Sequence, residues 1–422
     1  MKNTYNEMKD SGVAWIGLIP QHWKVSKTLR CLSMAITDGP HTTPDFFDSG
    51  IPFVSAEAVS CGNGRIDFSH IRGFISPEFY AECCKKYIPQ KNDIFMIKSG
   101  ATTGKVAIVD VDCKFTIWSP LAVFRANTDR MTARYLFYFL RSEAYQKQVE
   151  LEWSFGTQQN IGMRVLENLS ICIPSLPEQA AIAAYLDEKC GTIDEIIAEA
   201  KASIEEYKAW KSSVIFEAVT KGLDSHAEMK DSGVDIIGLM PKHWNLCRQR
   251  FLCKTTTGDH DTQEAEPEGA FPFYVRSPII ERSNTYTFDG EGVLMAGDGA
   301  GAGRVFHYAT GKYAIHQRVY CFYDFKGILP RFYHYFMENL FCAEMDKGSA
   351  KSTVPSVRLP MLKDFNICLP SLTEQANIIT ALDEKCAAID GIIAEKEALI
   401  ADMEAYKKSL IFETVTGKRK VC

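Results

Sequence analysis

Residues 169–222 read LSICIPSLPEQAAIAAYLDEKCGTIDEIIAEAKASIEEYKAWKSSVIFEAVTKG, and residues 365–418 say nearly the same again, FNICLPSLTEQANIITALDEKCAAIDGIIAEKEALIADMEAYKKSLIFETVTGK. A repeat of this length fixes the architecture before any single residue does. In the first copy Ala183, Cys190, Ile197, Ile204, Lys211 and Ala218 fall seven apart, and Leu186, Ile193, Ala200, Tyr207 and Val214 follow at an offset of three. In the second copy Ile379, Cys386, Ile393, Ile400 and Lys407 alternate with Leu382, Ile389, Lys396, Met403 and Leu410. This is the a/d seam of a heptad, so each copy is predicted to be one long helix. Each opens after a proline and a short polar stretch, Pro174 to Glu178 or Pro370 to Glu374, and closes near Gly222 or Gly417. Roughly 40 residues at about 1.5 Å each make a rod near 60 Å long. Matched seams of equal length within one chain predict an intramolecular antiparallel pair in preference to a dimerisation coiled coil. The domains before the two helices would then lie at opposite ends of the rod, related by an approximate two-fold axis.

A shorter echo supports this reading. MKDSGVAWIGLIPQHW at residues 8–23 returns as MKDSGVDIIGLMPKHW at 229–244. The second copy follows the end of the first helix, and in an antiparallel pair the first copy would sit just beyond the end of the second. The phrase recurs because a joint between helix terminus and domain recurs. The short echo is displaced by 221 positions and the long one by 196, so the material between the anchors is 25 residues longer in the first copy.

The length of 422 residues suits two or three domains. The N-terminus lacks the basic and apolar regions of a secretory leader, and no run approaches 18 apolar residues, so a soluble cytoplasmic protein without membrane contact is expected. Fourteen dispersed cysteines with no C-x-x-C pair read as reduced thiols, and the adjacent Cys83 and Cys84 as ordinary structural residues. The net charge of −6 is unevenly spread. Residues 178–222 and 374–418 each hold nine acidic against five basic side chains, which accounts for −8 and leaves +2 over the rest. Mildly basic domains joined by acidic helices are compatible with nucleic-acid binding, which responds to local surface charge.

Residues 26–168 and 247–364 are short runs of Val, Ile, Phe, Tyr and Thr punctuated by Gly, Pro, Asp and Asn, the pattern of strands and turns with a few helices. They share a skeleton. KNDIFMIKSGATTGKVAI at 91–108 matches EGVLMAGDGAGAGRVF at 291–306, each a strand, a glycine-rich turn and a strand, with a cation after the last glycine. Farther on, Gly156 to Ile161 occupies the place of Ser352 to Val357. GATTGK is not a Walker A loop: it has three residues between its glycines where four are needed, and Val106 follows the lysine where Ser or Thr is needed. GDGAGAGR departs from G-x-G-x-x-G. No methyltransferase motif, zinc-ligand cluster or nuclease constellation emerges, and His41, His260 and His316 read as turn or hydrogen-bonding residues.

Together the MKDSGV…HW openings, the DGPHTTP stretch at Asp38 to Pro44, the paired glycine turns, the ICIPSLPEQ and ICLPSLTEQ helix openings and the long repeated helices resemble the specificity subunits of Type I restriction-modification systems. The resemblance covers nearly the whole chain. It implies an α+β architecture, with two target recognition domains of mixed α/β character separated by two long antiparallel coiled-coil helices. The expected divisions are 1–170 (joint and first recognition domain), 171–222 (first helix), 223–364 (second joint and recognition domain) and 365–422 (second helix and tail). It also implies a non-catalytic subunit that reads an asymmetric bipartite site in double-stranded DNA. Two adenine methyltransferase subunits would dock on it and restriction/translocase subunits join, with S-adenosylmethionine and ATP/Mg only on those partners and no cofactor in this chain. A coiled-coil protein-interaction scaffold without DNA recognition is the competing expectation. Base and phosphate contacts need polar side chains on a rigid frame. The candidates are Thr42, Thr43, Lys98, Thr102, Thr103, Lys105, Gln158, Gln159 and Asn160 in the first domain, and Asp259, His260, Thr262, Arg276, Arg304, Gln317, Arg318, Lys351 and Thr353 in the second. Lys105 and Arg304, which follow equivalent turns, are expected on phosphates.

Overall fold

The computed structural model describes residues 4–155, 159–348 and 355–421. Packing divides the chain into two compact units, residues 1–200 with 398–422, and residues 201–397. The division falls inside both long helices, Leu176–Lys221 and Leu372–Val415. Each unit therefore contains a stretch of both helices, whereas the divisions at 170, 222 and 364 follow where the repeats begin. Among the described residues no helix is long and apolar enough to cross a membrane.

In the first unit an antiparallel sheet runs in the order Thr37–Asp38, Leu121–Phe124, Ile94–Ile97, Val106–Ile108. Its two central strands are apolar at every position because both faces are covered. Ile94, Met96, Ala122 and Phe124 point into one hydrophobic cluster with the helices. Phe95, Ile97, Leu121 and Val123 point into another with the three-stranded sheet Phe74–Ile75, Ile51–Val54, Thr116–Ile117. The alternation is the period of two that a strand imposes. The second unit repeats the plan. Lys254–Thr257, Val319–Tyr323, Gly292–Ala296 and Phe306–Ala309 form its first sheet, and Glu281–Ser283, Phe271–Tyr274, Lys312–Ile315 and Phe288–Asp289 its second. In both second sheets a parallel pair joins corresponding strands, Phe53 to Thr116 and Phe273 to Ala314. The middles differ where the first unit runs helices Ala56–Cys61 and Pro77–Cys84 and the second runs strands Glu281–Ser283 and Phe288–Asp289.

Within each unit the helix stretches run antiparallel. In the first, Tyr185 meets Arg419 and Asp194 meets Lys407, so positions rise along one helix as they fall along the other. In the second, Tyr207 meets Lys396 and Lys211 meets Asp390. The heptad positions read from sequence are all buried or half-buried. Lys407 is a lysine in an apolar seam, only 8% exposed, and its ammonium lies 2.6 Å from both oxygens of Asp194. Lys211 makes the reciprocal pair with Asp390 at 2.7 Å. A charged seam position satisfied by one partner penalises every register but its own.

The sheets reach the long helices through a shorter helix in each unit, Ala133–Arg141 or Pro330–Gly348. Arg134 and Tyr138 converge on Asp187, and Arg331 and Tyr335 on Asp383. Gln179, fully buried, accepts from the Thr132 N–H and donates to the carbonyls of Arg130 and Pro174; Gln375 does the same with Leu329, Gly327 and Pro370.

The joints are built as the echo suggested. Ser175 and Glu178 close a capping box over the first turn of the first helix, and Ser371 and Glu374 over the second. The same carboxylates hold the repeated phrase: Glu178 accepts from His22 at 2.8 Å and the Trp23 indole at 3.2 Å, Glu374 from His243 at 2.7 Å and Trp244 at 3.1 Å. Trp23 packs against Gly417 at the end of the second helix, and Trp244 against Gly222 at the end of the first. Both glycines sit at positive φ, 73° and 77°, the left-handed turn that terminates a helix. At Gly417 an added Cβ would lie 2.2 Å from a ring carbon of Pro20.

Burial opposes the charge on Glu178, but hydrogen bonds from His22, Ser175 and Trp23 outweigh it and hold the carboxyl near 2, below its ordinary 4.5; Glu374 is likewise held near 2 against burial by His243, Ser371 and Trp244. A depressed folded-state pKa stabilises above the unfolded value, and the contribution is lost as pH falls from about 4.5 towards 2. Glu178→Gln and Glu374→Gln should each cost about 1 kcal/mol at pH 7, the scale of a lost cap. The double variant should lose stability less steeply with acid in that window. Urea unfolding at pH 7, 4.5 and 3 checks both.

Candidate nucleic-acid interface

In each unit the candidate interface begins at the glycine turn between the two paired strands. In the first, Gly104 N–H returns to the Ile97 carbonyl at 2.8 Å, and Thr103 N–H donates to that of Gly100 at 3.1 Å. The second reproduces this with Gly303 to Ala296 at 2.9 Å and Ala302 to Gly299 at 3.1 Å. A distant segment then clamps each turn: Gly100 N–H donates to Gln159 and Gly299 N–H to Pro355, both at 3.0 Å, while Ile161 N–H reaches Lys98 and Val357 N–H reaches Gly297. The pairing of residues 156–161 with 352–357, read from sequence alone, is thus reproduced bond for bond where both are described.

A second loop is set beside the turn by a close backbone crossing. A Cβ on Gly39 would lie 1.9 Å from the Ile117 carbonyl oxygen, and one on Gly258 would lie 1.8 Å from that of Ile315. Only glycine allows the approach. DGPHTTP therefore starts from this crossing, and Gly258-Asp259-His260-Asp261-Thr262 is its counterpart.

On this shared frame the charges differ. In the first unit the carboxylate of Asp38 is buried and draws Lys86, Lys98 at 3.4 Å and His41 at 3.4 Å. In the second, Asp298 on the turn itself draws Arg276 at 2.9 Å and Arg318 at 3.4 Å. Burial and the Arg276 guanidinium push His316 down from its ordinary value. That suits a neutral ring whose Nδ1 accepts from the Arg318 N–H at 2.9 Å.

The residues singled out from sequence gather unevenly. Lys98, Thr102, Thr103, Lys105, Gln159 and Asn160 share the first turn and its clamp; Thr42 and Thr43 lie exposed on the neighbouring loop, tied to the turn through Asp38 and Lys98. The Thr103 hydroxyl is committed to the Gly100 carbonyl at 2.7 Å. In the second unit Arg276, Arg304 and Arg318 are exposed at the turn, and Thr262 and Gln317 are exposed on the adjoining loops, with Gln317 donating to Asp261 at 2.8 Å. His260 is different. It is buried, and its ring nitrogens engage Asp259 at 2.8 Å and Thr285 at 2.6 Å, so the imidazole holds the loop and has no nitrogen left for a base edge. Gln158, Lys351 and Thr353 lie outside the described residues. Sequence reasoning passed over the carboxylates Asp38 and Asp298 and the cation Lys86. Asp38 stood in a quoted motif, but nothing local marks Lys86, which is 48 residues away from it.

Residues 45–206 and 241–400 match the family described as Type I restriction modification DNA specificity domain. The chain is 23% identical over 378 residues to the Type I restriction enzyme MjaVIII specificity subunit of Methanocaldococcus jannaschii, covering 83% of this chain and 85% of that one. It is 24% identical over 181 residues to the EcoDI specificity subunit of Escherichia coli, 43% of this chain, and there the match spans only 40% of the relative's length. Its fold is similar to a chain solved in work on complex assembly and conformational transition of the type I R-M system, with a TM-score of 0.70 at 16% identity over 94% of this chain and 98% of that one. With two family domains that together take in most of its residues, the chain belongs to the Type I restriction-modification DNA specificity family, whose function is sequence-specific recognition of DNA.

Proposed function

We propose that each unit reads one half of an asymmetric bipartite site in double-stranded DNA, and that the chain carries no catalysis of its own. It would direct two adenine methyltransferase subunits, and restriction/translocase subunits, to that site, with S-adenosylmethionine and ATP/Mg bound by those partners. The observation that carries this reading is one backbone frame bearing two different charge sets. In the first unit Asp38, at the end of an edge strand, gathers two lysines and a histidine, whereas in the second Asp298, on the glycine turn, gathers two arginines. Equivalent frames present side chains at equivalent places, and different side chains prefer different base edges: an arginine fork suits guanine, whereas an amide suits adenine. Two identical readers would favour a symmetric site.

The roles divide by exposure and pairing. Lys105 and Arg304, exposed just after the turns, suit phosphates; Gln159 and Asn160 in the first unit, and Arg276 and Arg318 in the second, suit base edges. Asp38 and Asp298 act as positioning residues, since a cation held by a carboxylate loses less freedom when it meets DNA.

Methylation mapping in cells expressing this chain with its methyltransferase partner tests the whole reading. A single bipartite motif with unlike halves is expected, and purified chain alone should transfer no methyl group; transfer without a partner would overturn it. Gln159→Ala should relax discrimination only in the half-site of the first unit and Arg318→Ala only in the other, each by about 1–3 kcal/mol against the wrong base, as scored on variant duplexes. Lys105→Ala and Arg304→Ala should weaken binding across sequences and flatten the dependence of log K on log salt by about 0.9 each, the signature of one lost phosphate. Fluorescence anisotropy at several salt concentrations measures that slope.

A further inference from the structure

Behind the glycine turn of the first unit lies a cavity of about 330 Å³, bounded by the loop after helix Ala56–Cys61 and the corner where helix Ala133–Arg141 gives way to Glu143–Glu152. Ser60, Asn63, Thr103, Lys105, Arg141 and Gln146 line it, and among the described residues no carboxylate does. Arg141 is the anomaly. Its guanidinium rests on the Phe137 ring at 4.9 Å and against Gly64, where a Cβ would come within 2.8 Å of one nitrogen. Among the described residues nothing makes a hydrogen bond or ion pair with it, although Arg134, seven residues earlier, is paired with Asp187 at 2.6 Å. The nearby carboxylates are spoken for: Asp187 by Arg134 and Tyr138, Asp194 by Lys407. Burial pushes the Arg141 guanidinium down from its ordinary value. Five donors in a recess without an acceptor are costly unless an anion or water meets them. Lys105 stands exposed at the mouth, its ammonium 3.4 Å from the Ser60 carbonyl.

We infer that this cavity is a phosphate site, in which one phosphodiester of the DNA backbone is held between Arg141 at the floor and Lys105 at the mouth; the inference rests on the DNA-reading function proposed above. A guanidinium suits a phosphate because it offers two parallel N–H donors. The site belongs to the first unit. Counting seven residues from Arg331, the equivalent of Arg134, gives Glu338 in the place of Arg141. Gly303, the equivalent of Gly104, faces Met345 and Phe341 where Gly104 faces Gln146. One half-site is thus anchored by a recessed phosphate contact that the other does not receive.

The test uses the full chain with its methyltransferase partner on a duplex carrying the mapped site, with neutral methylphosphonates introduced one position at a time. The wild type should lose affinity several-fold at one position in the first unit's half-site. Arg141→Gln, which leaves Lys105 in place, should lose part of that factor on unmodified DNA, show a flatter salt slope, and lose less than the wild type when that position is neutralised. Ser60→Asp, which leaves Arg141 in place and puts a carboxylate at the cavity wall, should do the same and guards against misfolding of the first variant. Arg141→Lys should recover part of the slope. Calorimetry with inorganic phosphate separates the sources: phosphate bound by the wild type but not by Arg141→Gln, with no position-dependent coupling on DNA, would overturn the assignment to the DNA backbone. Wild-type slopes and coupling in both variants would overturn the site itself. A wild-type complex with no preference for any DNA sequence would overturn the function on which the inference rests.

Discussion

Two carboxylates, Glu178 and Glu374, carry the organisation of each unit. Each closes the first turn of a long helix and accepts from the indole and imidazole of the repeated HW pair, and that indole packs on the glycine that ends the other helix. The start of one helix, the end of the other and the repeated HW phrase meet at one side chain. The next residue, Gln179 or Gln375, is fully buried and fastens the same helix turn to the loop that opens the shorter helix of that unit. A charged group that accepts several hydrogen bonds is worth more than the bonds taken singly, since each donor is polarised by a full charge in a partly dry setting. Moving either helix by one residue would separate all of these partners at once.

That constraint separates what must stay constant from what is free to change. The joints, seam and shorter-helix anchors recur position for position, down to the Asp187 and Asp383 clusters and the reciprocal Lys407–Asp194 and Lys211–Asp390 pairs. The glycine turns recur too, but through backbone hydrogen bonds that use no side chain. Apart from Thr103, whose hydroxyl is held by the Gly100 carbonyl, side chains on the turns are therefore released from structural duty. Asp38 stands at the end of an edge strand in one unit, and Asp298 on the turn in the other, and each organises its own cations.

The long helices and their joints were legible in the sequence because their physics is local and periodic. Apolar positions seven apart can bury only on one face of a helix, and the repeated phrase had to mark an equivalent place in each copy. The matching of residues 156–161 to 352–357 was legible for a similar reason, since it needed only an ordered comparison of two copies. Side-chain partnerships across sequence were not. Nothing in DGPHTTP foretells that Lys86 folds back on Asp38, and His260, chosen as a polar candidate, spends its ring nitrogens on Asp259 and Thr285. Arg141 ends an aromatic-rich helix and reads as one more polar terminus; only the cavity beside it and the absence of a described partner distinguish it.

The seam lysines show why a duplicated chain can keep its two halves distinct. Apolar seams of matched period would accept several registers with little difference in energy, since one Leu or Ile resembles another to its neighbours. A lysine at the seam removes that tolerance, because only the register that brings Asp194 to Lys407 and Asp390 to Lys211 gives each ammonium a carboxylate. The two pairs are unequal: Lys407 is almost wholly buried against a half-buried Asp194, whereas Lys211 and Asp390 are more open to solvent. Desolvation makes a mismatch most costly where burial is greatest, so the register is enforced more strongly in the first unit. The same unit carries the Arg141 cavity, so the half in which helix register is more strongly enforced is also the half to which the proposed phosphate contact belongs.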